Sequence, residues 1–180
     1  MGIRASCLYD CKKVVQFHRF YFKTRLKIFN ILISIVFFVG AFAFTIIAIY
    51  GNIDREMKIS GSCMVAFVIF LLFYYFCYPK IQYNSNKATK DQIEEFFFEE
   101  ERIKITAKSV AQESSAELLY SGIWRIYEID DAIYIFINPN QAHIVDKATI
   151  VGGSASELCL FLETKVGAKL YKRKLKKKRT

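Results

Sequence analysis

Residues 28–50 read IFNILISIVFFVGAFAFTIIAIY, and residues 59–78 read ISGSCMVAFVIFLLFYYFCY. Neither stretch contains an acidic or basic residue. A helix rises about 1.5 Å per residue, so the two stretches would span about 34 Å and about 30 Å, enough to cross the hydrocarbon core of a bilayer. We therefore predict a hairpin of two transmembrane helices. The alternative is a pair of buried core helices in a globular protein.

The basic residues beside these stretches predict their orientation. Residues 1–27 carry a large excess of Lys and Arg, whereas residues 51–58 hold two basic and two acidic side chains. Positively charged flanks stay on the cytoplasmic side of a membrane. The sequence therefore predicts a multi-pass protein of the cell membrane with both termini in the cytoplasm and a short extracytoplasmic loop at residues 51–58.

The N-terminal flank has a helical period. Basic residues recur every three or four positions beside a mostly apolar stripe, which predicts an amphipathic juxtamembrane helix within residues 1–27. Such a helix could lie in the membrane interface or extend the first transmembrane helix into the cytoplasm, and the sequence leaves both open. The residues predicted to contact anionic phospholipid here are Lys12, Lys13, Arg19, Lys23 and Lys27.

After a linker at residues 79–90, the period changes to that of β-strands. Residues Arg102–Lys108 alternate polar and apolar positions, and residues 132–137 (AIYIFI) form an apolar run between turn residues. Ser154 and Glu157 have the spacing of a capping box, and Gly167 is a plausible helix end. We predict that residues 91–168 form a small antiparallel β-sheet or barrel, with a C-terminal helix covering one side.

Charge is unevenly distributed between this domain and the tail. Residues 91–168 contain six basic and fourteen acidic residues, whereas the tail 169–180 (KLYKRKLKKKRT) has no acidic residue. The tail is predicted to bind anionic phospholipid, the alternatives being a solvated tail and, as a minor possibility, nucleic-acid contact. No nucleic-acid partner is expected. The tail residues assigned to the membrane surface are Lys172, Arg173, Lys174, Lys176, Lys177, Lys178 and Arg179.

Residues 94–150 carry a resemblance to a known family, most clearly in YSGIWRIYEIDDAIYIFI at positions 120–137 and HIVDKATI at positions 143–150. Together with the two apolar stretches, they resemble the bacterial YcxB-like family. The resemblance implies an α+β membrane protein whose C-terminal domain is a pleckstrin-homology-like (PH-like) barrel. The family pattern has a Pro-Lys pair where this chain has Asp146-Lys147, so a local difference is expected at that turn. The family, being uncharacterized, implies no activity, so no functional residue is transferred.

Catalytic chemistry finds little support in the sequence. The two histidines, His18 and His143, lie far apart, and no cluster of His, Cys and carboxylates has metal-ligand spacing. We predict no catalytic residue, no metal and no cofactor, and hence a protein that is not an enzyme. Cys7 and Cys11, four residues apart beside the basic helix, are possible acylation sites.

Two functions fit these features. The preferred hypothesis is a membrane-anchored interaction module that presents a cytoplasmic PH-like domain to a protein partner or to another copy of itself, because the acidic domain would be repelled by anionic lipid. The alternative is a lipid-responsive membrane regulator whose basic helix and tail bind anionic phospholipid. The sequence names neither the partner nor the physiological role.

Overall fold

The computed structural model describes residues 2–25, 73–85, 90–109 and 113–174, together with positions 33, 35–37, 39, 40, 42, 44, 61, 66, 67, 69 and 70. The chain divides into two compact units. Unit 1 combines Met1–Tyr9 with Ala88–Thr180, and unit 2 comprises Asp10–Lys87. Unit 2 is therefore inserted in the chain between the first strand of unit 1 and all the others.

Sheet A of unit 1 is antiparallel, with strands in the order β1-β2-β3-β4. Each of its first three strands alternates buried and more exposed residues, because successive side chains of a strand point to opposite faces. One buried cross-strand row joins Ile3, Phe98 and Ile103, which have no exposed surface. The strands are β1 (Ile3–Leu8), β2 (Ile93–Phe98), β3 (Arg102–Lys108) and β4 (Glu113–Leu119).

Sheet B has the order β7-β6-β5-β8, with β8 parallel to β5 and the other pairs antiparallel. Residues 132–136 of the central strand β6 are all buried, so both of its faces are covered. This explains why the strand reads as a continuous apolar run rather than an alternating one. The strands are β5 (Arg125–Glu128), β6 (Ala132–Asn138), β7 (Gln141–Asp146) and β8 (Tyr171–Arg173).

Short 3₁₀ turns lie at Tyr120–Gly122 and Lys147–Thr149. The second turn and the residues after it cover the outer edge of β1. Arg4 and Val151 exchange two backbone hydrogen bonds, of 2.9 and 2.8 Å. The Thr149 hydroxyl accepts from the Ser6 amide at 3.0 Å and donates to the Ser6 carbonyl at 2.6 Å. These contacts satisfy backbone groups that an open edge would leave to solvent.

The C-terminal helix of unit 1 begins where the sequence indicates. The Ser154 side chain accepts from the Glu157 amide, and the Glu157 carboxylate accepts from the Ser154 amide, so the predicted capping box is confirmed. The helix, Ala155–Val166, ends at Gly167, whose φ of 80° favours glycine. Leu158 and Leu162 are fully buried and fix its inner face.

Unit 2 contains α1 (Cys11–Arg25) and α2 (Tyr78–Ser85), which contact each other, and the helix of unit 1 is accordingly α3. The Asp10 carboxylate accepts from the Lys13 amide at 2.7 Å and so caps the start of α1. Farther along the helix, the Phe22 ring makes edge contacts with Tyr74 and Tyr75, each with centroids 5.8 Å apart. Aromatic packing therefore joins α1 to the residues just before α2.

The predicted fold class, a transmembrane hairpin followed by an antiparallel PH-like barrel, is wrong. Among the residues that the structure describes, no helix is both long and apolar enough to cross a membrane. The structure is α+β, with two four-stranded sheets of which one contains a parallel pair. A run without charges indicates apolar composition but does not fix the length of a helix. Most positions of segments 28–50, 51–58 and 59–78 lie outside the described residues.

Two terminal segments contain strands that the sequence did not indicate. Residues 1–27, predicted as one amphipathic helix, hold β1 before α1, and the basic tail 169–180 begins with β8. Both strands belong to unit 1. The unit therefore draws on residues outside the segment 91–168 that was assigned to it from sequence.

The contribution of β1 to unit 1 can be tested with two side chains of the same strand. Ile3 is fully buried, whereas Leu8 is 44% exposed. We expect Ile3→Ala to lower the free energy of unfolding by about 2–5 kcal/mol, because it leaves a cavity in the core of unit 1. Leu8→Ala, the matched control, should change it by less than about 1 kcal/mol. Equal effects in chemical denaturation would contradict a buried β1.

Candidate interaction surface

The buried carboxylate of Glu94 is the centre of one polar network in unit 1. Its side chain accepts a hydrogen bond from the Tyr9 hydroxyl at 3.0 Å and from the Gln92 amide at 3.3 Å, and it lies 2.9 Å from Nδ1 of His143. The Tyr9 hydroxyl in turn accepts from the Ile144 amide at 3.1 Å. The network therefore ties the end of β1 and strand β2 to β7 of the other sheet.

This network has the residue types of an acid–base site but not the access. Glu94 is only 7% exposed. Burial, followed by the nearby charge of Glu94, raises the pKa of Tyr9 well above its ordinary value, so its hydroxyl stays protonated. No group of three or more His, Cys, Asp or Glu side chains able to hold a metal ion occurs among the described residues. We assign Glu94 and Tyr9 to holding the sheets together.

A second buried carboxylate, Glu128 on β5, holds the start of the tail. Its oxygens accept from Nζ of Lys147 at 2.9 Å and from the Tyr171 hydroxyl at 2.9 Å, and Nε of Arg173 lies 3.3 Å away. Burial by itself would raise the pKa of Glu128, but the hydrogen bonds from Lys147 and Tyr171 and the charge of Lys147 outweigh it. The pKa is therefore lowered, and Glu128 is ionised at neutral pH.

The predicted membrane-binding residues of the tail differ in their surroundings. Lys172 is exposed on β8, whereas Arg173 pairs with Glu128 and also with Glu163 at 2.6 Å. The amide of Lys174 donates to the Glu128 carbonyl, and its ammonium lies 5.1 Å from the centroid of the Tyr127 ring. Two of these three cations thus contact other side chains of unit 1. The remaining predicted tail residues, Lys176, Lys177, Lys178 and Arg179, lie outside the described residues.

The predicted membrane-binding residues of the N-terminal flank lie on α1. Lys12, Arg19 and Lys23 are exposed at a spacing that places them on one face of the helix, and Lys13 is half-buried. Lys27 lies outside the described residues. That these residues bind phospholipid stays a prediction.

The histidine and the two cysteines noted in the N-terminal sequence are partly or fully buried. His18 lies against the rings of Phe22 and Tyr78, with centroids 5.0 and 6.2 Å apart, and burial lowers its pKa. Cys7 is fully buried on the inner face of β1, which gives an acyl chain no access to it. Cys11, at the start of α1, is half-buried.

Among the described strands of unit 1, β4 is the most exposed. Among the described strands it pairs only with β3, and six of its seven residues are exposed, Leu118 being half-buried. By contrast, the edge of β1 is covered by residues 149–151, and β8 is only three residues long. An exposed edge strand offers unpaired backbone groups to another strand. The strand has no strong signal in the sequence, because ESSAELL has few residues that favour strands.

Side chains along β4 leave this edge approachable. On the outer face, Glu117 pairs with Arg102 at 2.7 Å and Glu113 lies 3.8 Å from Nζ of Lys108, so each carboxylate faces a cation of β3. Between these glutamates the strand carries only the small residues Ser114, Ser115 and Ala116. Neither net charge nor bulk therefore blocks strand pairing along the middle of β4.

Unit 2 presents a surface of a different kind. Many of its large apolar side chains at described positions are exposed, and such surfaces mark contacts with proteins or membranes. Within the described part of the unit, these residues are Ile35, Val36, Val39, Phe42, Phe67, Ile69, Phe70, Phe73, Phe76, Tyr78 and Ile81.

Comparison with known proteins bears on unit 1. Residues 98–161 match the family model described as YcxB-like protein. This stretch is similar to that family. The sequence-based resemblance is confirmed for these residues, which run from the end of β2 through β7 into α3 and include the whole of β4. No curated protein and no solved structure matches the chain.

The network around Glu128 predicts a pH dependence of stability. A carboxyl whose pKa is lower in the folded than in the unfolded chain stabilises fully above the unfolded value, near 4.3. That stabilisation is lost as pH falls through the folded value. We therefore expect Glu128→Gln to destabilise the chain most at neutral pH, and the difference from wild type to shrink below about pH 4. Thermal unfolding of wild type and Glu128→Gln across a pH series measures this difference.

The exposed Glu101 supplies the control for this series. Glu101→Gln changes the same charge without removing a buried ion pair, so its difference from wild type should stay small at every pH. If both variants gave the same pH profile, Glu128 would not hold the tail through its charge.

Proposed function

We propose that the chain is a non-enzymatic interaction module that works at the cytoplasmic face of the cell membrane. In this proposal unit 1 binds a protein partner through the exposed edge of β4. The single observation that carries the proposal is that β4, seven residues long and exposed at six of them, pairs with one strand only among the described residues.

Strand addition is the binding mode that fits this edge. An extended peptide added beside β4 would form backbone hydrogen bonds along the strand, and the pockets for alternate side chains would supply specificity. The strand offers few large side chains to a partner, since Leu119, 56% exposed, is its main exposed apolar residue. Affinity would therefore rest mainly on the backbone, and the partner would be a segment able to become a strand.

The enclosed polar networks support a binding role over a catalytic one. Glu94 and Glu128 are each saturated by neighbouring donors, and neither is accessible enough to meet a substrate. A general acid or base must come within hydrogen-bond distance of the reacting group.

The role of β4 can be tested by placing a charge in the middle of the edge. Ala116→Lys should block strand addition, because charged side chains on an edge oppose pairing. We expect proteins captured from lysate by the wild-type full-length chain, and identified by mass spectrometry, to be reduced at least tenfold with Ala116→Lys. Retention of the same proteins by the variant would contradict the proposal.

Ala148→Lys is the matched control. Ala148 is also an exposed alanine, but it lies in the 3₁₀ turn between β7 and α3, away from β4. The Ala148→Lys variant should capture the same proteins as wild type. Thermal unfolding of both variants checks that neither substitution disrupts the fold.

The second candidate function is a lipid-responsive regulator. The exposed stripe of Lys12, Arg19 and Lys23 on α1 favours it, as do the exposed apolar side chains of unit 2. Each cation near an anionic leaflet contributes about 1 kcal/mol at low salt, and the attraction weakens as salt rises. Apolar side chains in the same unit would add contact with the acyl region.

Vesicle binding tests this candidate. We expect the triple variant Lys12→Gln, Arg19→Gln and Lys23→Gln to bind phosphatidylserine-containing vesicles about 100-fold more weakly than wild type at low salt, in a flotation assay. Binding to phosphatidylcholine vesicles should not change. The control replaces Lys90, Lys108 and Lys169 of unit 1 by Gln. Equal losses in both triple variants would show that net charge, and not the stripe on α1, governs binding.

A further inference from the structure

We propose that the strand added to β4 comes from a second copy of this chain, with the two β4 strands antiparallel about a twofold axis at Ala116. This inference rests on the proposed function, since it names the partner of the same edge. It predicts a homodimer in which the two copies of sheet A form one continuous sheet, with four strands from each copy.

The geometry of a sheet restricts how β4 can pair with itself. Two identical antiparallel strands in one continuous sheet are related by a twofold axis perpendicular to it, so a residue lies opposite a residue of the same face. The axis must then lie midway between one residue of the strand and the same residue of the other copy. Of the seven residues in β4, Ala116 is the central one, so an axis there pairs the whole of Glu113–Leu119 with its copy.

Charge selects the same register. With the axis at Ala116, Glu113 lies opposite Leu119 of the other copy, and Glu117 lies opposite Ser115. An axis at Ser115 would instead place Glu113 directly opposite Glu117, and an axis at Glu117 would place that carboxylate opposite itself. Like charges directly opposite each other destabilise a pair of strands. An axis at Ser114 or Leu118 would pair only three residues on each strand.

Side-chain size and burial agree with this register. The inner face of β4 carries Ser114, Ala116 and Leu118, which lie beside Ala107, Ile105 and Ile103 of β3. Ile105 and Ile103 are buried, whereas Ala116 and Ser114 are exposed, so the apolar face of the sheet continues to its open edge. In the dimer, Leu118 of each copy would lie opposite Ser114 of the other. The apolar face of one copy would then meet that of the other copy at this edge, where the single chain meets solvent.

The contact is short, so the dimer is expected to be weak. Stable interfaces bury about 1,200 Å² or more, which a pair of seven-residue strands alone does not reach. Association should therefore depend on protein concentration. Covalent cross-linking detects such a weak contact better than a measurement of oligomeric mass at low protein concentration.

Cysteine cross-linking tests the register directly. Residues opposite each other in antiparallel strands have Cα atoms about 4.5–5.5 Å apart, within the range of a disulfide. We expect the full-length Ala116→Cys chain, under a mild oxidant, to form a disulfide-linked dimer at least tenfold more than wild type. Wild type is the baseline, because it already contains the exposed Cys77.

Ser114→Cys is the matched control on the same face of the same strand. It would lie opposite Leu118 of the other copy and about 14 Å from its own equivalent, too far for a disulfide. By itself, the Ser114→Cys chain should form no more disulfide-linked dimer than wild type. Mixed with Leu118→Cys chains, it should form the mixed disulfide. Equal cross-linking by Ala116→Cys and Ser114→Cys alone would overturn the register.

The outcomes also separate this inference from the proposed function. If Ala116→Cys does not cross-link but Ala116→Lys still loses captured proteins, the edge binds another protein, which overturns the homodimer and leaves the proposed function standing. If Ala116→Lys loses nothing and Ala116→Cys does not cross-link, both fail.

Discussion

The pairing of β1 with β2 is the constraint on which unit 1 depends. It places residues 3–8 beside residues 93–98, although the whole of unit 2 lies between them in the chain. Closing a loop of that length costs conformational entropy, which the buried row of Ile3, Phe98 and Ile103 helps to offset. The same strand also connects the two sheets, because Arg4 and Ser6 form hydrogen bonds with the segment that follows β7. Folding of unit 1 thus requires chain from both sides of unit 2.

Polar groups in unit 1 divide into those that are saturated and those that are open. Buried charges destabilise a protein unless they are paired and hydrogen-bonded, and Glu94 and Glu128 each meet that condition with several donors. Their networks join β2 to β7 and β5 to β8. The backbone of β4 has one neighbouring strand among the described residues. The outer edge of β4 therefore keeps capacity for new backbone hydrogen bonds, which the side chains of Glu94 and Glu128 do not.

The basic residues of the chain serve more than one purpose. Cations of the tail that composition alone would assign to lipid are partly held by the protein, since Arg173 meets Glu128 and Glu163 and Lys174 lies over Tyr127. On α1, by contrast, Lys12, Arg19 and Lys23 are exposed along one face. Charge clustered in sequence therefore becomes a structural ion pair in one unit and an exposed stripe in the other. The acidic composition of residues 91–168 supplies the carboxylates for the first of these.

The sequence by itself determined the features that depend on near neighbours in the chain. The alternation in β3, the apolar run of β6, and the capping box and glycine end of α3 all follow from local periodicity and backbone preference, and so does the YcxB-like resemblance of residues 98–161. Tertiary structure decided what depends on distant partners. β1 and β8 are short strands within segments that read as helix and basic tail, and β4 has weak strand preference, so each is fixed by the strand beside it. The transmembrane hairpin was inferred from apolar composition, which reports the burial a segment needs but not what buries it.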